Sequence, residues 1–238
     1  MSVCERDYII RCAADLGVGV TEEQARLLLS HLDTVLEANQ RLNLTAITDR
    51  YRGVRLHIVD SLAVLPYVGS AEGSAADIGS GAGFPGIPVA IVAERPLDLI
   101  ESIKKRAVFL EACVRLLGGL WGTEVLPLRA EEAAESHACS YTCVMARALT
   151  SLPALVELAS PLLVIGGRLV AMKGAPTAEE LRSGENAARM VGMEETQRVE
   201  YRLPELGETR TLVCYTRVGQ SEVPLPRRVG LAQKRPLA

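Results

Sequence analysis

Three glycines at alternate positions follow an aspartate in the segment Asp77–Gly83, which reads Asp-Ile-Gly-Ser-Gly-Ala-Gly. A run of small residues precedes this segment, and an apolar, helix-like stretch over residues 84–93 follows it. A strand, a tight glycine turn and a helix in this order are typical of nucleotide-binding α/β proteins. Glycine lets the backbone of such a turn approach a ligand closely, because a Cβ atom would collide with the ligand. Pro85 and Pro88 fit the first turn of the helix, where an amide hydrogen is not needed.

The spacing of the glycines indicates which ligand the turn would bind. The dinucleotide fingerprint is G-x-G-x-x-G, and it directs a helix N-terminus at a pyrophosphate. Residues 79–83 instead have the spacing G-x-G-x-G, with Asp77 in front. This variant suits S-adenosylmethionine, because that cofactor has no phosphate and a nearby carboxylate favours its cationic sulfonium. Glu101, at the end of the next predicted strand, would bind the ribose hydroxyls; a glycine-rich turn without a ligand is the alternative.

Charged side chains follow the other predicted strands, at the carboxyl ends where ligands bind in this kind of sheet. Lys104–Arg106 open a helix, although the helix dipole disfavours positive charge there. They are therefore expected to serve another purpose, such as binding RNA phosphates, and a solvated surface is the alternative. Arg147 and Lys173–Gly174 follow the fourth and fifth predicted strands, next to the expected cofactor pocket. Residues 129–131 follow the third strand, where a loop is expected to flank an adenine ring.

His57, Asp60 and Ser61 are expected to share one face of a helix, at positions i, i+3 and i+4. A histidine paired with an aspartate can do acid–base chemistry. The alternative is a structural hydrogen bond that ties this helix to the rest of the domain. The sequence leaves both roles open.

The apolar patterns predict a helical extension followed by alternating strands and helices. In the extension, helices are expected over residues 7–16 and, from a capping box at Thr21, to Asn39. The predicted strands are 75–78, 97–101, 124–128, 143–146, 168–172, 196–202 and 211–217, and predicted helices include 104–117, 152–163 and 177–191. The fold class is α/β, with a mostly parallel, twisted sheet that ends in an antiparallel pair.

Domain boundaries are expected at residues 1–66 for the helical extension and 67–220 for the cofactor-binding domain. Residues 221–238 are expected to form a basic, proline-containing and loosely ordered tail. No apolar run reaches the length of a membrane span and the N-terminus does not resemble a signal peptide, so a cytoplasmic protein is expected. The six cysteines contain no CxxC pair and only three histidines are present, so no metal site is expected. The formal net charge of −3 argues against broad binding to nucleic acid but allows a local basic patch.

Several segments of the chain occur in the order of one known family. They are Asn43–Thr45, His57–Leu62, Asp77–Pro88, Glu101–Ser102, Lys105–Arg106, Phe109–Leu110, Arg147–Ala148 and Lys173–Gly174. Together they resemble RsmG, also called GidB, the bacterial small-subunit ribosomal RNA methyltransferase G family. The resemblance covers about residues 20–217, and the glycine motif extended by Phe-Pro-Gly-Ile-Pro is its most specific part.

The resemblance implies a class I, Rossmann-like methyltransferase fold and S-adenosylmethionine-dependent methylation of guanine N7 in a decoding-site loop of 16S rRNA. The residues expected to bind the cofactor are Asp77, Gly79, Gly81, Gly83, Phe84, Glu101, Ala130, Glu131 and Arg147. Those expected to contact RNA are Lys105, Arg106, Arg129, Lys173 and His57, and Arg147 and Lys173 are expected to position the substrate. Leu56 stands where the family usually has arginine, which puts an RNA contact there in question, and Glu101 stands where aspartate is usual.

The expected reaction needs no general base, because guanine N7 carries a lone pair and no proton. Alignment of N7, methyl carbon and sulfur would then carry catalysis, and positioning supplies roughly 7–11 kcal/mol in the best intramolecular models. An aromatic content of only 4% is poorly suited to naked single strands. The expected partner is therefore structured 16S rRNA or the small ribosomal subunit, bound by a monomer.

Other functions remain open on the sequence alone. A methyltransferase for a small molecule or a protein would keep the glycine motif but have no use for Lys105 and Arg106. A nicotinamide-dependent oxidoreductase is disfavoured by the glycine spacing and by the lack of a Tyr-x-x-x-Lys pair. A non-catalytic RNA-binding or assembly factor is the third alternative.

Overall fold

A helical N-terminal part precedes one seven-stranded sheet in the computed structural model, which describes residues 3–69 and 73–237. The strands are β1 (Ser74–Ile78), β2 (Leu97–Ile100), β3 (Glu124–Leu126), β4 (Tyr141–Arg147), β5 (Leu163–Lys173), β6 (Met193–Arg202) and β7 (Thr209–Arg217). They lie across the sheet in the order β3-β2-β1-β4-β5-β7-β6. The first five are parallel to their neighbours, and β7 runs antiparallel to both β5 and β6. The predicted mostly parallel sheet with a terminal antiparallel pair is confirmed.

The helices lie before the sheet, in the connections between its strands and, for the last one, after β7. They are α1 (Val3–Asp15), α2 (Glu22–Leu42), α3 (Arg50–Gly53), α4 (Asp60–Leu62), α5 (Gly86–Ala93), α6 (Lys104–Leu116), α7 (Ala130–Ser136), α8 (Leu152–Ala159), α9 (Ala178–Met190) and α10 (Leu231–Lys234). A π-helical turn, Val54–Val59, joins α3 to α4. None of the described helices is both long and apolar enough to cross a bilayer.

β1 lies where the strand order reverses, between β2 and β4. Its residues are small enough for helices to pack on both faces, and Asp77 is in register with Leu99 of β2 and Met145 of β4. Ligands of open α/β sheets bind in the crevice at the carboxyl ends of the strands on either side of such a reversal. The sheet therefore brings the predicted glycine turn, which follows β1, to the expected binding edge.

The N-terminal helices pack into the same hydrophobic cluster as one face of the sheet. The predicted capping box is confirmed: Thr21 Oγ1 accepts a hydrogen bond from Gln24 N, and Gln24 Oε1 accepts one from Thr21 N. Helix α2 continues three residues beyond the predicted end at Asn39. Its buried face packs on α5, so Leu28 and Ile87 belong to one core. The boundary at residue 66 stays a prediction, and residues 70–72 of the expected connection lie outside the described residues.

The expectation of a loosely ordered tail after residue 220 is wrong for residues 221–237. Arg227 forms a bidentate ion pair with Glu157, whose side chain is buried in α8. Ala232 is 1% exposed, and Leu237 packs against the second hydrophobic cluster. The physical reason is that a buried carboxylate needs a cation, and composition alone does not reveal that the tail supplies one.

Candidate active site

The glycine turn at the end of β1 is held open by backbone bonds to the neighbouring strand. Gly79 N donates to Ile100 O at 2.8 Å, and Gly79, Gly81 and Gly83 have φ of 72°, 58° and 91°. A Cβ at Gly79 would lie 2.6 Å from Leu149, and one at Gly83 would lie 2.6 Å from Ile87. At Gly81 the nearest atom would be a backbone oxygen at 3.8 Å. The middle glycine therefore faces open space that a ligand can enter.

Asp77 lies beneath the turn rather than on its surface. Its side chain is completely buried, and its Oδ2 accepts a hydrogen bond from Gly86 N at 3.0 Å, at the start of α5. Its Oδ1 is buried and has no hydrogen-bond partner among the described residues. Burial raises the pKa of this carboxyl group to about 7, although Gly86 N and Arg147 lower it. An unpaired buried acceptor at this place is available to a cationic ligand.

Glu101 follows β2 and joins the glycine turn to the next helix. Its Oε2 accepts a hydrogen bond from Gly81 N at 2.9 Å, and its Oε1 accepts one from Ile103 N at 2.7 Å. The negative charge at the start of α6 also offsets the three cations that open this helix. A carboxylate has about four lone-pair sites, so two remain for a further donor pair such as a diol.

Phe84 lies between two buried histidines at the start of the segment that follows the glycine turn. Its ring centroid is 4.4 Å from that of His31 and 4.6 Å from that of His57, which stacks on it. Burial lowers the pKa of His31 to about 4 and that of His57, with help from Arg147, to about 3. Both rings are therefore neutral at physiological pH and add no charge to the site.

Arg147, the last residue of β4, is fixed by three acceptors. Its Nη1 donates to Leu56 O at 2.7 Å and to Asp60 Oδ2 at 3.2 Å, and its Nη2 donates to His57 Nδ1 at 3.0 Å. Arginine has only donors, so His57 Nδ1 must accept and Nε2 must carry the ring proton. That proton is donated to Thr45 Oγ1 at 2.9 Å. Both ring nitrogens of His57 are thus used.

Asp60 is a structural anchor for three elements rather than half of an acid–base pair. Besides Arg147, it accepts a hydrogen bond from the Tyr201 hydroxyl at 2.6 Å and lies 3.7 Å from Arg210 Nε. The Ser61 hydroxyl donates to the backbone oxygen of His57. The side chains of His57 and Asp60 share no described hydrogen bond, although the Asp60 backbone N–H donates to His57 O. Both side chains hold Arg147.

Lys173 ends β5 and lies on the same edge of the sheet as Arg147. Its Nζ donates to Thr150 O at 3.0 Å and pairs with Glu180 Oε1 at 2.7 Å. The two cations share a cavity of about 440 Å³. The cavity is lined by Ile47, Leu56, His57, Asp60, Arg147, Ala148, Met172, Lys173, Gly174 and Arg210.

A second, narrower pocket lies on the other side of the glycine turn and encloses about 30 Å³. It is lined by Gly79, Ile100, Ser102, Leu128, Arg129, Ala130, Glu131, Leu149, Leu158 and Gln233. Gly79 and Ala130 thus meet as the sequence predicts. The side chain of Glu131 has a different partner, because its Oε1 accepts a hydrogen bond from Gly230 N at 2.7 Å.

The predicted RNA-contacting residues fall into two groups. Lys105 and Arg129 are exposed and Arg106 is half-buried, and Arg129 lines the narrow pocket. Lys173 and His57 line the larger cavity instead, and His57 is buried. Their contacts with RNA stay predictions, as do the ligand contacts of the cofactor residues. Sequence reasoning gave Ser102 no role, although it lies in the Glu101–Ser102 segment, and it missed Leu149 and Gln233, which carry no motif.

The residues that the structure describes include no group of three or more His, Cys, Asp or Glu side chains arranged to hold a metal ion. Two acids and two cations lie along this edge of the sheet. Asp77 and Glu101 accept from Gly86 N and Gly81 N at the glycine turn, and Arg147 and Lys173 line the larger cavity. This is an arrangement for transferring a group from a cationic cofactor to a substrate that presents hydrogen-bond acceptors.

Solved structures that resemble this chain establish its fold. A protein from Corynebacterium glutamicum gives a TM-score of 0.54 at 20% identity, over 82% of this chain and 92% of that one. Geranyl diphosphate C-methyltransferase from Streptomyces coelicolor gives a TM-score of 0.56 at 14% identity, over 69% of this chain and 77% of that one. The predicted class I methyltransferase fold is confirmed.

Sequence relatives go further than the fold. The ribosomal RNA small subunit methyltransferase G of Pelotomaculum thermopropionicum is 38% identical over 94% of this chain and 95% of the relative. That of Symbiobacterium thermophilum is 39% identical over 94% of each chain. A family model described as rRNA small subunit methyltransferase G matches residues 24–209. The chain belongs to the rRNA small subunit methyltransferase G (GidB) family.

Proposed function

We propose that this protein transfers the methyl group of S-adenosylmethionine to N7 of a guanine in a decoding-site loop of 16S rRNA. Methylation of small-subunit ribosomal RNA is the activity of its family. The observation that carries the finer proposal is the cavity beside the glycine turn. It presents donors from Arg147 and Lys173, while both ring nitrogens of His57 and both carboxylate oxygens of Asp60 are already engaged by protein partners.

The cofactor cleft fits S-adenosylmethionine on three counts. Gly81 leaves open space for a ligand, Glu101 has acceptor sites left for the ribose hydroxyls, and the buried Oδ1 of Asp77 lacks a partner. The same acids oppose a pyrophosphate, which disfavours a nicotinamide coenzyme. When bound, S-adenosylmethionine supplies an electrophilic methyl group on a cationic sulfur.

The reaction forms one bond and breaks one. Guanine N7 attacks the methyl carbon with its lone pair, the carbon–sulfur bond breaks, and its electron pair stays on sulfur. No proton moves, so the reaction needs no base. This agrees with the neutral, fully bonded state of His57. The positive charge passes from sulfur to the purine, and the protein need only keep the three atoms in line.

Arg147 and Lys173 are proposed to position the guanine. Arg147 has five N–H donors and uses three, and Lys173 has three and uses two with described residues. The remaining donors match guanine O6, which accepts from arginine and lysine in many nucleic-acid complexes. Because a nearby cation does not favour a cationic product, their role is orientation and not stabilisation of charge.

The substrate is proposed to be folded 16S rRNA or the small ribosomal subunit. Lys105, Arg106 and Arg129 form a small cationic surface beside the cofactor cleft, which suits phosphate contacts around a loop. A methyltransferase for a small molecule or protein would leave this surface without a role. Action as a monomer in the cytoplasm stays a prediction.

The test is mass spectrometry of nucleosides from the small-subunit RNA of cells that lack this protein. The proposal predicts loss of one 7-methylguanosine, which returns when the wild-type gene is restored. An unchanged 7-methylguanosine content, or loss of a different methylated nucleoside, contradicts it.

A further inference from the structure

The C-terminal segment, residues 227–237, is docked by specific bonds beside the narrow pocket. At its start, Arg227 pairs with the buried Glu157 of α8. At its middle, Gly230 N donates to Glu131 Oε1 at 2.7 Å, and near its end Leu237 N donates to Glu157 Oε2 at 3.4 Å. These bonds tie the segment to α7 and α8, which flank the predicted adenine loop.

The docked segment places Gln233 on the wall of the narrow pocket. Gln233 lies there with Gly79, of the glycine turn, and with Ala130 at the start of α7. Its side chain is exposed, and its amide makes no hydrogen bond with any described residue. The rest of the wall mixes apolar residues, such as Leu128 and Leu149, with the polar residues Ser102 and Arg129. A narrow slot with apolar side chains on its wall and a free amide at its rim has the features of a site for a planar heterocycle.

The pocket volume of about 30 Å³ is roughly the space of one water molecule. A purine therefore enters only if part of the wall moves. The backbone of Gly79 is fixed to Ile100, whereas the Gln233 side chain swings outward without losing a bond. Gln233 is accordingly the part of the wall that opens and then closes on the ligand.

We propose that Gln233 binds the adenine of the cofactor, with its amide oxygen accepting from the 6-amino group and its amide nitrogen donating to an adjacent ring nitrogen. This inference rests on the proposed function, because it takes the glycine turn as the S-adenosylmethionine site. Glutamine has the donor and acceptor pair that adenine requires. The C-terminal segment thereby becomes part of the cofactor site, with Glu131 and Glu157 as its anchors.

The test compares wild-type protein with Gln233→Ala, using calorimetry with S-adenosylhomocysteine as a stable probe. Gln197→Ala, the same change on the exposed outer strand β6, is the matched control. Gln233→Ala is expected to weaken binding by about tenfold, while the control binds as wild type does. Both positions are exposed, so thermal unfolding is expected to be unchanged in both variants.

A second probe separates a contact with adenine from a loss of pocket shape. It is an analogue of S-adenosylhomocysteine whose purine carries hydrogen in place of the 6-amino group. Wild type is expected to bind it about tenfold more weakly than the parent compound, and Gln233→Ala to bind the two nearly equally. Unchanged affinity of Gln233→Ala, or an equal loss for both probes, overturns the inference. If wild type binds neither probe, the proposed function fails as well.

Discussion

At the scale of single residues, Asp77 is expected to destabilise the free protein and to help bind the cationic cofactor. Its carboxyl group is buried with one unpaired oxygen, which destabilises the charged form in the empty cleft. In the proposed complex a bound sulfonium would compensate for that cost, because opposite charges attract strongly where water is excluded. A residue of this kind is expected to stabilise the complex while it destabilises the free protein.

The effect of Asp77 on stability depends on pH. Burial raises its pKa from 3.8, the value of an unperturbed aspartate, to about 7 in the folded protein. The contribution of protonated Asp77 to the free energy of unfolding is fully present below about pH 4. It is lost as pH rises through the folded-state pKa of about 7. Asp77→Asn is therefore expected to gain stability relative to wild type between pH 5 and 8, by up to a few kcal/mol.

Urea unfolding of both proteins at several pH values measures this difference. The expected curve is a difference that grows with pH up to about 7 and then levels off. A difference in unfolding free energy that is the same at pH 5 and pH 8 contradicts the raised pKa. The variant is also expected to bind S-adenosylmethionine more weakly, which separates the two roles of the residue.

Lys173 offers a residue-scale test of substrate positioning. Lys173→Ala removes a donor that is proposed to face guanine O6, and kcat/KM for small ribosomal subunits is expected to fall by about 10- to 100-fold. Affinity for S-adenosylhomocysteine is expected to stay within about twofold of wild type, since Lys173 lines the larger cavity and not the cofactor pocket. Arg189→Ala, which removes an exposed cation of α9, is the control. Loss of cofactor affinity in Lys173→Ala refutes the positioning role.

At the scale of elements, the glycines of one turn are expected to be needed for two different reasons, packing of the turn and access of the ligand. A methyl group at Gly83 would lie 2.6 Å from Ile87 and 3.0 Å from His31 Nε2, whereas one at Gly81 would meet open space. Both positions have positive φ, which costs an alanine about 1–2 kcal/mol. Gly83 is thus needed for packing of the turn on α2 and α5, and Gly81 for access of the ligand.

Gly83→Ala is expected to lower the thermal midpoint by clearly more than Gly81→Ala does, because only the former adds a clash. Gly81→Ala is expected to lose most of its affinity for S-adenosylhomocysteine while it stays folded. Differential scanning calorimetry and isothermal titration measure the two effects. Wild-type affinity in Gly81→Ala would show that the ligand does not approach this face of the turn.

The elements that sequence patterns predict are those that local chemistry specifies. Strand β1 is predicted to within one residue, because a short run of small and apolar residues, four of them buried, leads directly into the glycine turn. The fifth strand is longer than predicted, since β5 begins at Leu163, where the sequence predicts the end of a helix. Gly166 and Gly167 inside that strand mimic a helix stop signal.

The parts of the site that the sequence did not predict depend on distant partners. The π-helical turn carries His57 to Arg147, ninety residues away in the chain. Such turns leave no mark in a hydrophobic pattern, although they often occur at functional sites. Gln233 was missed for the same reason: the order of the tail depends on Glu157, a single buried carboxylate on α8.

At the scale of the whole molecule, the net charge is −3, but acidic and basic side chains are separated along one edge of the sheet. The acids Asp77 and Glu101 are buried under the glycine turn, whereas Lys105 and Arg129 are exposed beside it. We propose that the same edge binds a cationic cofactor in its interior and RNA phosphates at its rim.

Reversing the charge of the exposed cations beside the glycine turn tests whether they bind RNA. The double variant Lys105→Glu/Arg106→Glu is expected to lower methylation of small subunits at least tenfold, with a weaker dependence of binding on salt. Its affinity for S-adenosylhomocysteine is expected to stay near wild type. The control pair is Arg189→Glu/Arg198→Glu, on α9 and on β6 at the opposite edge of the sheet. Equal losses in the two double variants would mean that net charge matters and the rim does not.

The measurement that tests the central claim most directly is methyl transfer by the purified protein. Small subunits from cells that lack it are incubated with S-adenosylmethionine labelled in the methyl group, and the RNA is digested to nucleosides. The label is expected at a single guanine, in 7-methylguanosine, and it should be absent when Gly81→Ala replaces wild type. Label in any other nucleoside, or no label with a protein that binds the cofactor, would contradict the account.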